Sequence, residues 1–327
     1  MVREIVQVTA DEATVRRLKT MSETLWEGQG SIPAVDRWLE NFDGKTEQYS
    51  ADVERHHAAH LLSHFTYFGQ REVKELLVSL YRDHFRYEII QQVRRDAANS
   101  SDPTVLRAGF AERLQRTRFL GAGGPSESGT MLLYSFRQEN KLDETLFPDR
   151  YQLFAPDGDK PFGRLADPTV ERLVFIDDVL GTGTQAIKHS ATFIPQIRQA
   201  AARSGRKIDI WYLTLFALPD GLTVVERLDY DRVDAVHLMT ASQRAFSEES
   251  HVYADPPAGI NRETGRAVAE RYGISVAPGN CFGYEGGQLM LGLNHNIPDH
   301  TLPIFWASNT VVPWHPIFTR HNKDPEA

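Results

Sequence analysis

Two adjacent carboxylates, Asp177 and Asp178, stand just before Val179-Leu180 and the turn Gly181-Thr-Gly-Thr184, and the apolar run Leu173-Val-Phe-Ile176 leads into them. Each residue type here has a chemical use. Carboxylates accept hydrogen bonds from sugar hydroxyls and can place Mg²⁺ directly or through water. Gly181 and Gly183 let backbone come close to a ligand, and Thr182 and Thr184 add hydroxyl donors. If a helix begins at the turn, its first N–H groups and its dipole favour a phosphate there. The order apolar run, acids, glycine turn, helix therefore suits a sugar phosphate, with the sugar extending from the phosphate toward the acids. Ligands of open α/β sheets bind beyond the carboxyl ends of the strands, which is where this segment predicts its site.

Two rivals fit less well. A Walker B strand also ends in acids, but it requires a partner G-x-x-x-x-G-K-[ST] loop. Gly124-Pro-Ser-Glu-Ser-Gly-Thr130 has the glycine spacing with Thr130 in place of the lysine, and Gly44-Lys-Thr46 has no glycine five residues before Gly44. A receiver-type acidic pair would lie on a first strand, without the Gly-Thr-Gly-Thr turn.

The elements that must position these residues read as follows. From residue 11 to about 119 the pattern is helical: Asp11 and Ser50 are N-cap types, Pro103 suits a helix start, and Val73, Leu76, Leu77, Leu80, Tyr81, Phe85, Ile89 and Val93 recur at helical spacing. Gly121 to Thr130 is a loop by composition. Beyond it, short apolar runs predict strands at Met131–Phe136, Leu173–Ile176, Ile208–Leu215, Ala235–Met239 and Leu289–Leu293, with a helix from about Thr184 to Ser204. Strands alternating with helices imply an α/β fold with a parallel sheet flanked by helices. The expected domains are an α-helical N-terminal region, 1–122, and an α/β domain, 123–327.

Composition sets the outer limits. The 327 residues carry a net charge of −8, 41% hydrophobic and 24% charged residues, and one cysteine, Cys281. An acidic chain lacks the overall charge of a nucleic-acid binder, so direct nucleic-acid binding is not indicated. A single cysteine allows no internal disulfide, and no long apolar run predicts a leader or a membrane span, so a cytoplasmic protein is expected. His56, His60 and His64 share a helix face at zinc-ligand spacing, but no Glu-x-x-His pair or cysteine cluster accompanies them. A solvated or partner-facing helix is the expectation there.

The segment Ile176-Asp-Asp-Val-Leu-Gly-Thr-Gly-Thr184 resembles the signature of type I phosphoribosyltransferases that binds PRPP (5-phosphoribosyl diphosphate). The resemblance implies a type I phosphoribosyltransferase-like sheet, with Asp177 and Asp178 on the ribose hydroxyls and on Mg²⁺, and Gly181, Thr182, Gly183, Thr184 and Gln185 around the 5-phosphate. It implies a pyrophosphate loop after the first core strand. That position points to Tyr134 through Arg137, with Arg137 as the cation, against the alternative of a surface arginine ending a strand. A mobile loop over PRPP is expected at Pro156–Pro168, where a plain connector fits equally. Asn294, His295, Asn296 and Trp306 are acceptor-pocket candidates, against the alternative of a capped proline turn and a core tryptophan. One position departs from the pattern. Many members carry an aspartate base at the first turn position, and here it is Gly181.

Three further strings, Met131–Asn140, Phe282–Trp306 and Trp314–Arg320, together with the helical N-terminal part, are similar to phosphoribosyltransferase-like proteins of bacterial conflict and antiviral defence systems, some with retrons. Two functions are then open. One is a transferase moving the phosphoribosyl group to an unknown acceptor. The other is a PRPP- or nucleotide-sensing module without turnover, which signals to a protein partner or a second copy through the N-terminal helices.

Overall fold

The computed structural model describes residues 5–123, 128–308 and 312–320. In chain order the elements are α1 (Ile5–Thr9), α2 (Glu12–Thr24), α3 (Ile32–Leu39), α4 (Ala51–Ser63), β1 (Thr66–Phe68) and α5 (Gln70–Ser79). A π-helical turn, Leu80–Arg86, joins α5 to α6 (Tyr87–Asp96), and α7 (Pro103–Gln115), β2 (Thr117–Gly121) and α8 (Ser128–Glu139) follow. Then come β3 (Phe154–Asp157), β4 (Lys160–Leu165), β5 (Arg172–Leu180), α9 (Thr184–Arg203), β6 (Asp209–Ala217), α10 (Pro219–Val225) and β7 (Arg232–Leu238). The last are α11 (Arg262–Val276) and β8 (Leu291–Leu293). Asp11, Ser50 and Asp102 cap α2, α4 and α7 by accepting hydrogen bonds from first-turn N–H groups, as their residue types predict.

The chain forms two units, Met1–Val73 with Met239–Ala327, and Lys74–Leu238. The boundary expected at 122/123 falls inside the second unit. The reason is β2, which pairs in parallel with β5 from Thr117↔Arg172 to Gly121↔Ile176, so residues before 122 are part of the sheet.

The second unit holds a four-stranded, all-parallel sheet in the order β2-β5-β6-β7. Leu173, Val174, Phe175 and Ile176 of β5 and Ile210, Tyr212, Leu213 and Leu215 of β6 are fully buried, as central strands covered on both faces must be. One face packs Phe175 and Tyr212 with Phe193, Ile194 and Ile197 of α9. On the other face Phe85 meets Phe119 and Trp211, and Phe119 meets Phe136 of α8. Helices on both faces of a parallel sheet are the expected fold class.

Two strand expectations and one helical expectation need correction. Met131–Phe136 is helical: Leu132 and Phe136, four residues apart, are buried, while Met131 and Tyr134 are 61% and 67% exposed. That is the helix period of 3.6. The short apolar run alone could not separate it from a strand. The first core strand is instead Thr117–Gly121, at the end of the stretch whose pattern predicts helix. The strand expected at Leu173–Ile176 runs on to Leu180, which matters for the site.

In the first unit, β1 and β8 form a two-stranded parallel pair, Thr66↔Leu291 to Phe68↔Leu293, so the helical stretch expected from residue 11 to 119 is broken at Thr66 as well. The core joins Trp26, Trp38, Phe42 and Phe65 to Phe305 and Phe318. Among the described residues no helix is long and apolar enough to cross a membrane.

Candidate functional site

The length of β5 decides where the two carboxylates go. Because β5 continues to Leu180, Asp177 and Asp178 are both within it, and their carboxylates lie close enough to interact with each other. Asp177 follows Phe175 onto the α9 face and is 3% exposed. Its carboxylate accepts the Tyr212 hydroxyl and, at 3.0 Å, the N–H of Asp178. Burial, then the neighbouring Asp178 carboxylate, push the Asp177 pKa well above the ordinary range. Burial and Asp177 raise that of Tyr212 in turn. Asp178 is 4% exposed, and one of its oxygens accepts the Val179 N–H at 2.8 Å.

The turn after β5 is held from below. Leu218, after β6, donates its N–H to the Leu180 carbonyl at 2.9 Å. A Cβ at Gly221 of α10 would stand 1.8 Å from the Gly181 carbonyl oxygen, so only glycine lets α10 approach this closely. Gly183 has φ +82°, a left-handed conformation that favours glycine, and it is the residue from which α9 starts. The first bond inside α9 runs from the Ile187 N–H to the Gly183 carbonyl at 2.8 Å, so the N–H groups of Thr184, Gln185 and Ala186 have no intrahelical acceptor. The Thr182 and Thr184 hydroxyls lie 2.9 Å apart. Three free-ended N–H groups, two hydroxyls and the positive end of a 20-residue helix make this turn suited to a phosphate. Gly221 was missed in the sequence. Its signal was Pro219-Asp-Gly, a turn-former beside an apolar strand.

The chain leaving β2 runs beside the carboxyl end of β5. Ala122 donates its N–H to the Ile176 carbonyl at 2.8 Å, which brings this chain level with the acids of β5. A Cβ at Gly129 would stand 2.4 Å from the Ala122 carbonyl oxygen and 2.9 Å from that of Ile176, so α8 begins against the ends of β2 and β5. Much of the glycine loop expected at Gly121–Thr130, and of the P-loop-like spacing weighed there, falls on residues 124–127, outside the described residues. Arg137 does not follow the first core strand. It lies in the last turn of α8, roughly 13 Å along the axis from Ser128, with its guanidinium 5.9 Å from the Tyr134 ring centre. Arg150 reaches the chain at the carboxyl end of β2. It donates to the Gly123 carbonyl at 2.7 Å, lies 3.3 Å from Nε2 of His189 on α9, and stacks 4.5 Å over the Phe193 ring.

The loop expected at Pro156–Pro168 is a hairpin. β3 and β4 pair antiparallel from Phe154↔Leu165 to Asp157↔Lys160, with Gly158 at φ +58° in the turn. Arg203 of α9 donates to the Gly163 carbonyl at 2.8 Å.

The acceptor candidates belong to the first unit. Asn294 donates its N–H to the Phe68 carbonyl, and the Asn296 N–H bonds the Leu293 carbonyl in a turn. His295 sits 3.2 Å from the Asn294 amide oxygen. Trp306 donates to the Thr301 carbonyl, and Arg320 covers its ring at 4.5 Å. The histidine helix α4 is not a solvated face. His57 and His60 are buried, and His60 bonds the Val252 carbonyl at 2.9 Å. Among the described residues no group of three or more His, Cys, Asp or Glu is arranged to hold a metal ion.

The comparison with known families decides the assignment. The PRTase-CE family matches residues 35–320, most of the chain. The chain belongs to the PRTase-CE family. No curated protein and no solved structure matches it. The matched span runs through both units and takes in every element from α4 to β8, so the phosphoribosyltransferase-like character of a PRTase-CE chain is not confined to the dozen residues around Asp177.

Proposed function

We propose that the second unit binds PRPP, or a related ribose 5-phosphate ligand, and that the family's transferase chemistry acts on it there. The observation that carries this reading is the coincidence, at the carboxyl end of β5, of the Gly181–Gln185 turn and the Asp178 carboxylate. The 5-phosphate takes the N–H groups of Thr184, Gln185 and Ala186 with the Thr182 and Thr184 hydroxyls. Asp178 takes the ribose hydroxyls. Asp177 supports it through the Asp178 N–H rather than touching the sugar.

Mg²⁺ fits this donor set in a limited way. It needs only one or two protein carboxylates when substrate phosphates and waters complete its shell. Asp178 could supply one. Asp177, with one oxygen taken by the Tyr212 hydroxyl and the other by the Asp178 N–H, does not fit as a direct ligand. When bound, the ion would neutralise charge on the pyrophosphate. In transfer, the C1–O bond of PRPP breaks and pyrophosphate leaves with the bonding pair. A lone pair of the acceptor forms the new bond to C1, and the acceptor's proton passes to solvent or a base. The turn and Asp178 contribute by holding C1 in place and stabilising charge.

A second reading is a sensor that binds PRPP without turnover. Gly181 favours it, because the first turn position carries no base. The wider resemblance extends the proposal to a component of bacterial antiviral defence in the cytoplasm, with the N-terminal helices meeting a protein partner or a second copy.

The test is calorimetry and thermal shift with PRPP and Mg²⁺, followed by a pyrophosphate-release assay. Wild type should bind, and Asp178→Asn should lose binding by roughly tenfold or more, about the worth of a charge-assisted hydrogen bond pair. Pyrophosphate release across a panel of acceptors supports the transferase. Binding without release supports the sensor. No binding by wild type rules out both.

A further inference from the structure

Arg150 lies in none of the motifs, yet it occupies the gap between the two chain segments that must embrace the ligand. It follows Asp149, which caps a short 3₁₀ turn through the N–H of Tyr151. From there its guanidinium reaches the Gly123 carbonyl, two residues past the end of β2, and His189, in the second turn of α9. Phe193, one turn further along α9, backs the guanidinium plane at 4.5 Å. A guanidinium only donates, so Nε2 of His189 is the acceptor and the imidazole proton sits on Nδ1. The aromatic backing and the two acceptors fix the plane of a fork that has five N–H donors, two of them directed at protein atoms here. The charge is thereby held beside Gly123, two residues beyond the Gly121↔Ile176 row that ends the pairing of β2 with β5.

We propose that Arg150 is the positioning cation of the diphosphate side of this site. It ties the chain leaving β2 to the phosphate-binding helix α9 and places a guanidinium charge where the pyrophosphate of PRPP is expected. This rests on the PRPP reading above and adds to it a residue that separates diphosphate recognition from 5-phosphate recognition. Arg137, at the far end of α8, has no such placement.

The separation is testable with three probes on the full chain: PRPP, ribose 5-phosphate and inorganic pyrophosphate, each titrated by calorimetry with Mg²⁺ into wild type, Arg150→Lys and Arg150→Gln. Circular dichroism and thermal unfolding report whether each variant keeps its fold. The expected result is a loss of roughly tenfold or more in PRPP and pyrophosphate affinity in Arg150→Gln, with ribose 5-phosphate affinity within about threefold of wild type. Arg150→Lys keeps the charge without the planar fork and should fall between the two. A merely structural arginine would not change the ratio of PRPP to ribose 5-phosphate affinity. Equal loss of all three ligands, or loss of none, overturns the role of Arg150 and leaves the site reading intact. Wild type that binds none of the three overturns the site reading and this inference with it.

Discussion

At the scale of the residue, the two aspartates have separate roles. Asp177 is an acid inside the core whose pKa is raised by burial and by Asp178. Such a group binds its proton in the folded chain at pH values where the unfolded chain has released it. The folded state then holds more protons, and stability falls as pH rises from the ordinary value of 3.8 toward the raised folded value. An asparagine keeps an acceptor for the Asp178 N–H, and the Tyr212 hydroxyl can turn to accept from its amide. Asp177→Asn should therefore gain stability over wild type progressively as pH rises from about 4 to neutrality. Urea unfolding at a series of pH values checks this, and a difference independent of pH would count against it. Tyr212→Phe removes a buried donor from Asp177 and should cost ~1–3 kcal/mol.

At the scale of the element, α4 shows what burial does to a polar helix face. His57, His60 and His64 lie inside the first unit, and burial lowers the pKa of each, that of His64 to about 4. Their folded pKa values are below the ordinary 6.5, so between the two values the unfolded chain binds more protons. The stability of the first unit should be full above pH 6.5 and should be lost as pH falls toward about 4. Four of the five tryptophans, Trp26, Trp38, Trp306 and Trp314, belong to this unit, so their fluorescence on acid titration reads the loss. His60→Gln, without a titrating ring, should move the midpoint downward. A midpoint that does not move would remove His60 from the cause. At the same scale, α8 places Arg137 in its last turn, away from its start against the ends of β2 and β5. A helix that starts at the sheet edge carries its last turn away from it.

At the scale of the whole molecule, the chain enters the second unit near Lys74 and leaves it near Leu238, so the first unit is built from both ends of the sequence. The proposed ligand touches only the second unit. At about 100 times its dissociation constant it should add roughly 2.7 kcal/mol to the unfolding free energy of that unit. Hydrogen exchange should then show new protection in β5, α9 and the chain after β2. Protection elsewhere with none at α9 would place the ligand at another site.

What the amino-acid order by itself determined was local. The turn Gly181–Thr184, the apolar strands around it, the caps Asp11 and Ser50, the helix start at Pro103 and the helix after Gly183 follow from nearest-neighbour chemistry and periodicity. They were legible because each depends on a few residues close in the chain. Tertiary structure decided the rest. Pairing with β6 extends β5 to Leu180 and brings Asp177 to the Tyr212 hydroxyl. Pairing with β5 makes Thr117–Gly121 a strand, and Arg150 reaches the chain that leaves it. Which face a side chain takes, and which distant arginine reaches it, depend on strand register and on packing between residues 27 to 39 positions apart, and no local pattern records these.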